Sequence, residues 1–282
     1  MPLEDSLSFQ AFSSAPYKST KRTSYFWVYD LLLQKFTGKA VTVVEVGVLN
    51  GGGLFMLRKL LGDSARIIGV DLNPECKYFE KYGFEIYTLN QSNPSEWNEL
   101  FKKIGPIDVL IEDGGHTNKQ QITTLIHSLD HIKAGGIYLS EDTHTSYWSE
   151  FGNPSRYSFV EYTKKMIDGI NERGPNVKNK RNKINDRILS VQFFESMFCV
   201  YFSDNAIEKS RRVVNEGRSL KHADFRNLDK SIRNLISSYL TSCVEKSSNP
   251  RSLKLRLTFR MVNLILGVIY RFENYSLRKF FK

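Results

Sequence analysis

Three features of the amino-acid sequence predict an α/β fold built on a doubly wound, mostly parallel sheet. Short apolar runs rich in β-branched residues alternate with stretches of helical periodicity from Val41 onward. These runs hold almost no polar positions, as expected of strands covered on both faces by helices. The last two runs, in "ILSVQFFESMFCVYF", break at Glu195 and Ser196 and read as an antiparallel hairpin that finishes the sheet. The sum is a Rossmann-like sheet with a C-terminal antiparallel hairpin, followed by a helical C-terminal extension.

The elements follow in order. "VTVVEVGV" reads as the first strand, "GGLFMLRKLLG" as a helix closed by Gly62, and "ARIIGVDL" as the second strand. "FEIYTL" is the third strand, "PSEWNELFKKIG" a helix and "IDVLIED" the fourth strand. "NKQQITTLIHSLDHIKAGG" reads as one helix ended by glycines, ahead of "IYLSED" as the fifth strand. A helix through "YSFVEYTKKMIDGI" then leads into the basic loop "NERGPNVKNKRNKINDR" before the hairpin. Residues 1–24 read as a lead-in, loose over the first 20, residues 25–204 as one domain, and residues 205–282 as a basic helical extension.

Composition narrows the function. With 282 residues, 41% of them hydrophobic, the chain can bury one large core. Cys76, Cys199 and Cys243 lie far apart without a CxxC pair, which suggests neither a disulfide framework nor a cysteine zinc site and fits a cytoplasmic compartment. No secretory signal pattern and no run of membrane-spanning length stands out. The net charge of +10 is uneven: residues 1–150 hold 14 Lys and Arg against 18 Asp and Glu, and residues 151–282 hold 26 against 12. The first half has the balance of a small-molecule enzyme, so nucleic acid is not expected as the primary partner.

In "VVEVGVLNGGG" the chain leaves the first strand through Glu45 and Gly47 and enters a helix by Asn50, Gly51, Gly52 and Gly53. Glycines there let a helix N-terminus approach a ligand closely. Asp71 ends the second strand, 26 residues after Glu45, where an acid can take both hydroxyls of a ribose. Leu49 stands where a dinucleotide fold has its middle glycine, which disfavours a pyrophosphate and suits a nucleoside without phosphates. A carboxylate inside an apolar strand needs a partner, and S-adenosylmethionine (SAM) offers cationic groups at that place.

Asp113 ends the fourth strand, and Glu141 with Asp142 ends the fifth. Neighbouring strand ends converge on one crevice, and carboxylates gathered there need a cation; oxygen ligands alone point to Mg²⁺ or a similar divalent ion. His116, three residues past Asp113, is placed to accept a proton from a hydroxyl held there. His144 either orients substrate or caps its turn, whereas His127 and His131 read as ordinary helix residues. Glu112 should point to the opposite face of its strand and is left outside the site.

"EVGVLNGGG", "GVDLNPE", "EDGGH", "AGGIYLSEDTHTSYW" and "FFESMFCVYF" together resemble the class I SAM-dependent O-methyltransferases typified by the macrolide-sugar methyltransferases and the related cephalosporin-hydroxylase-like proteins. The resemblance runs from about Tyr25 to Asp204. It implies Asp113, Glu141 and Asp142 as Mg²⁺ ligands and His116 as the base; His144 stays a catalytic candidate on its own position alone. The expected cofactor contacts, read from the strand ends and the glycine loop, are Glu45, Gly47, Asn50, Gly51, Asp71 and Asp113. "LNQSNP" departs from the Asp-Gln pattern frequent after the third strand, so Asn90, with Gln91 and Ser92, takes the adenine side. The expected reaction is methyl transfer to a sugar hydroxyl of a glycan, a nucleotide sugar or a glycosylated metabolite. The alternative is a non-catalytic RNA- or anionic-surface-binding protein that keeps the fold.

The C-terminal "LKLRLTFRMVNLILGVIYRFENYSLRKFFK" belongs to none of these motifs. At 100° per residue Leu257, Met261, Leu264, Ile265, Val268 and Phe272 fall on one side of a helix, with Arg256, Arg260, Arg271 and Arg278 on the other. Such a helix either packs on its own domain or a second subunit of a homo-oligomer, or lies peripherally on an anionic membrane, which here means the inner face.

Overall fold

In the computed structural model, the described residues are 2–151, 155–174, 177, 185–203, 211–218, 238–239, 242–243 and 253–281. The chain divides into two units, Met1–Arg212 and Val213–Lys282.

In the first unit α1 (Leu7–Ser13) and α2 (Thr23–Leu33) precede the sheet. Then come β1 (Thr42–Val46), α3 (Gly52–Leu61), β2 (Arg66–Asp71), a 3-10 segment (Pro74–Tyr82) and β3 (Glu85–Thr88). α4 (Pro94–Ile104), β4 (Ile107–Glu112), α5 (Asn118–Ser128) and β5 (Ile132–Ser140) follow. α6 (Phe159–Asn171), β6 (Ile188–Phe194) and β7 (Met197–Phe202) close the unit.

The strand order is β3-β2-β1-β4-β5-β7-β6. β1 to β5 pair in parallel and β7 is antiparallel to both β5 and β6, as the hairpin pattern predicts. Alternation along each buried strand feeds two cores. Val43, Ile67 and Val109 join side chains of α1, α2 and α3 on one face, while Val44, Ile68 and Leu110 join those of α4, α5 and α6 on the other. Because the chain runs outward from β1 to β3 and returns to β4, the β1–β4 boundary is the switch point where a crevice opens at the strand ends.

Two expectations are corrected. The first 20 residues are not loose: α1 carries the buried Ser8 and Ala11, and the Ser8 hydroxyl donates to the Phe26 carbonyl at 2.7 Å. The fifth strand begins earlier than its apolar pattern suggests, with Lys133–Gly136 inside β5 and α5 ending at Ser128. A Cβ at Gly136 would stand 2.6 Å from the Asp108 carbonyl oxygen, so the glycines that read as a helix stop instead let β5 close on β4.

In the second unit, α7 (Leu253–Leu277) continues into a 3-10 turn at Arg278–Phe281. Val262 is buried, while Leu257, Met261, Leu264, Ile265 and Val268 are 45–73% exposed. The side chain of Phe272 and most of the basic loop before β6 lie outside the described residues. No helix among the described residues is long and apolar enough to cross a membrane.

Candidate active site

A cleft of about 470 Å³ opens at the switch point, lined at the end of β1 by Glu45 and Gly47, at the end of β2 by Asp71 and Leu72, and on the β4–α5 turn by Asp113 to His116. Gly47 has φ +94°, and a Cβ there would lie 1.9 Å from the Asp113 carbonyl oxygen. Only glycine allows the ends of β1 and β4 to meet this closely. Asn90, Gln91, Gln120 and Asp142 line the cleft as well.

Glu45 is buried, and its Oε2 has no hydrogen-bond partner. A Cβ at Gly53 would stand 2.0 Å from Glu45 Oε1, so the glycine at the start of α3 makes room for the carboxyl. Burial pushes Glu45 up to about 8, against the pull of the Lys21 ammonium. An orphaned, buried carboxyl on a cleft wall suits a cationic ligand group.

Asp71 holds the neighbouring loop together. Its Oδ2 accepts from the backbone N–H of Val48 at 2.8 Å and of Leu49 at 2.9 Å, and its Oδ1 from Asn73 at 2.9 Å. Gln91 ties the adenine-side loop to the β4–α5 turn: its Nε2 donates to Glu112 Oε1 at 2.6 Å and its Oε1 accepts from Gly115 N at 3.1 Å. Glu112, bonded also by the Ser140 hydroxyl, is buried away from the cleft as strand alternation requires.

Other expected cofactor residues lie elsewhere. Asn50, Gly51 and Ser92 do not line the cleft. A Cβ at Gly51, which has φ +79°, would meet the Phe79 ring at 2.5 Å, so its place is decided by packing. The Ser92 N–H donates to Asn90 Oδ1 at 3.0 Å within its own turn.

The acid and histidine turns do converge. His116 Nε2 lies 3.5 Å from Asp142 Oδ2 and 3.8 Å from Asp113 Oδ1, and one ligand atom from each of the three residues falls within 4.8 Å of the others. His116 and Asp142 both have left-handed backbones, at φ 56° and 52°, which turn their side chains toward one another. The Tyr25 hydroxyl donates to Asp142 Oδ1.

Glu141 is placed differently from the expected ligand set of Asp113, Glu141 and Asp142. It is buried, outside the cleft lining, and accepts from the Tyr29 hydroxyl and from Lys21 Nζ. His144 also stays outside the lining. Its Nε2 is 3.0 Å from the Arg22 guanidinium and its ring packs edge-on against Trp148, and burial with the Arg22 charge holds its pKa below the usual histidine value.

Lys21, Arg22, Tyr25 and Tyr29 were absent from the sequence-derived site. The one signal for them is the i,i+4 spacing of the two tyrosines, which sets both hydroxyls on one face of α2. Nothing local ties that face to acids more than 100 positions away.

Sheet order and cleft define a Rossmann-like domain with a ligand-sized cleft at its switch point. Residues 44–143 match the profile of a family described as a methyltransferase domain. The chain is 31% identical over 159 residues to the 8-demethyl-8-α-L-rhamnosyl tetracenomycin-C 2′-O-methyltransferase of Streptomyces olivaceus, covering 52% of this chain and 41% of that protein. It is 25% identical over 222 residues to the L-olivosyl-oleandolide 3-O-methyltransferase of Streptomyces antibioticus, covering 73% and 55%. A solved structure of the MycE methyltransferase of the mycinamycin biosynthetic pathway, in complex with Mg, SAH and mycinamycin VI, has the same fold at a TM-score of 0.62 and 21% identity, covering 72% of this chain and 54% of that one. The chain thus spans about half the length of the relatives it matches. Over the matched part it is similar to a methyltransferase domain and to these sugar O-methyltransferases.

Proposed function

We propose that this protein transfers a methyl group from SAM to a sugar hydroxyl of a glycan, a nucleotide sugar or a glycosylated small molecule. The observation that carries the reading is the approach of His116 Nε2 to Asp113 and Asp142 on the rim of the cleft that also holds Glu45 and Asp71. The unpartnered Glu45 Oε2 suits the α-ammonium of the methionine end of SAM. Asp71, fixed by three backbone N–H groups, keeps one lone pair on Oδ1 for a ribose hydroxyl, and the exposed Leu49 and Leu72 give apolar edges beside it.

The donor set fits a hard divalent cation. Asp113 and Asp142 would hold it, with waters and substrate hydroxyls completing the shell, as Mg²⁺ prefers. Such an ion supplies positive charge that makes a neighbouring hydroxyl easier to deprotonate. His116 takes the proton at Nε2 while the acceptor oxygen bonds to the methyl carbon and the carbon–sulfur bond breaks, leaving S-adenosylhomocysteine and a methyl ether. The cleft walls orient the two substrates, and orientation can lower such a barrier by about 7–11 kcal/mol. Two likenesses support the choice: the MycE methyltransferase was solved with Mg, SAH and mycinamycin VI bound, and the two Streptomyces relatives are O-methyltransferases of rhamnosyl and olivosyl compounds.

A panel of nucleotide sugars, glycans and glycosylated metabolites incubated with methyl-labelled SAM tests the reading. Label transfer to a sugar oxygen, lost in His116→Ala, is the expected result. Binding of RNA without transfer to any hydroxyl would instead favour the non-catalytic alternative. The exposed apolar side of α7, bordered by the exposed Arg256, Arg260 and Arg271, fits a peripheral contact with an anionic lipid surface.

A further inference from the structure

Two aromatic rings adjoin His116 without lining the cofactor cleft. The Phe151 ring centre lies 6.5 Å from that of His116 at an interplanar angle of 59°, and the Trp148 ring follows at 6.1 Å from Phe151 and 52°. Trp148 is 45% exposed. Hydrogen bonds hold this turn against the one that carries His116. The Phe151 carbonyl accepts from Asn118 Nδ2 at 3.1 Å, and Asn118 Oδ1 accepts from Phe159 N at 2.8 Å and from the Ser146 hydroxyl at 3.3 Å. Thr145 Oγ1 reaches the carbonyls of both His116, at 3.0 Å, and Asp142, at 2.8 Å. Phe151 also lines a second, open hollow of about 560 Å³, together with Ile122, Thr123 and Tyr157. It therefore borders both the imidazole and the hollow.

We propose that Trp148 and Phe151 form the platform on which the acceptor sugar stacks by its C–H face, and that the hollow beyond Phe151 receives the group attached to that sugar. The inference rests on the function proposed above, which places the cofactor along Glu45 and Asp71 and the base at His116. Methyl transfer is an in-line displacement, so the acceptor oxygen comes to the methyl carbon from the side opposite the sulfur, over the His116 rim. A pyranose is apolar on the faces of its ring and polar around its edge. An aromatic ring can therefore cover one face while a hydroxyl at the edge meets the imidazole, the mixture of apolar wall and few polar groups that small-molecule sites use. The rings stand on a turn fastened to the His116 turn, so a sugar stacked on them is held in fixed register with the base. Trp148 and Phe151 are on this account specificity-determining residues and take no part in proton transfer.

The test uses methyl and phenyl α-L-rhamnopyranoside as probes, titrated into the full chain with S-adenosylhomocysteine present and followed by saturation-transfer NMR. Both should bind saturably, with the strongest transfer at the sugar C–H protons. Trp148→Ala and Phe151→Ala should each weaken binding by about tenfold or more, since a stacked ring covers on the order of 55 Å² of apolar surface. Trp148→Phe, which keeps a ring, should restore most of the affinity. Calorimetry should find S-adenosylhomocysteine binding changed by less than about twofold in the same variants, as for substitutions away from its contacts. The phenyl glycoside should bind more tightly than the methyl one, and Tyr157→Ala should remove the difference. Trp148 is exposed, so Trp148→Ala keeps the test open should Phe151→Ala fail to fold. No saturable binding of either glycoside, unchanged affinity in Trp148→Ala, or an equal loss of S-adenosylhomocysteine binding would overturn the proposal. Glycoside held on the platform without methyl transfer to any hydroxyl sinks the proposed function alone. Transfer with an unchanged acceptor KM in Trp148→Ala sinks this inference alone.

Discussion

His116 Nε2 stands 3.5 Å from Asp142 Oδ2, joining the turn after β4 to the turn after β5. The imidazole faces a carboxylate from another strand end, beside the Asp113 of its own turn at 3.8 Å. A base so placed can act on a hydroxyl lying between the acids.

His116→Ala should therefore slow the chemical step by about 10²–10⁴-fold while SAM still binds. Single-turnover kinetics together with SAM calorimetry separate the two effects. An unchanged rate would remove His116 from the mechanism.

Removal of the cation should stop turnover. Excess EDTA is expected to abolish methyl transfer and added Mg²⁺ to restore it. Asp142→Asn should weaken metal binding with circular dichroism unchanged, because Asn can still accept from the Tyr25 hydroxyl. Full activity in EDTA would sink the metal requirement.

Asp71→Ala should lower SAM affinity, since charge-assisted hydrogen bonds of about 1.5–3 kcal/mol are at stake. Asp71→Asn should lose less, because it keeps one acceptor for the loop N–H groups of Val48 and Leu49. Equal SAM binding by all three proteins, measured by calorimetry, would move the ribose elsewhere.

Glu45 links binding to pH. Its carboxyl, raised to about 8, is largely protonated at neutral pH, so capture of a cationic amino group should expel a proton. Calorimetry near pH 7 in buffers of different ionisation enthalpy should report nearly one proton released per SAM, absent in Glu45→Gln. Stability has the opposite sense: between the ordinary carboxyl value and about 8 the folded chain holds a proton that the unfolded chain has lost. Stability without SAM should accordingly fall as pH rises through that window, less steeply in Glu45→Gln.

The exposed face of α7 predicts sedimentation with phosphatidylglycerol-rich vesicles in low salt and release by added salt, at about 1 kcal/mol for each basic residue near the surface. Leu264→Glu with Ile265→Glu should abolish it. A dimer dissociated by the same pair of changes would assign the face to a second copy instead.

The order of strands and helices from Val41 to Phe202 was legible because each element carries its own period: apolar strands buried on both faces, helices bounded by Asn, Thr or Gly caps, and a hairpin broken at Glu195 and Ser196. Local spacing also nominated Glu45, Asp71, Asp113, His116 and Asp142, since residues at the C-terminal ends of parallel strands must share one crevice. Which oxygen of each acid faces that crevice was not local. Lys21 lies 92 positions before Asp113 and 120 before Glu141, and only the packing of α2 against the sheet brings its ammonium between them. The withdrawal of Glu141 from the cleft, the capture of His144 by Arg22 and the use of Gly51 for packing against Phe79 follow from the same cause. Sequence periodicity fixes which face of an element is buried, whereas the partner met on that face is set by how distant elements close on one another.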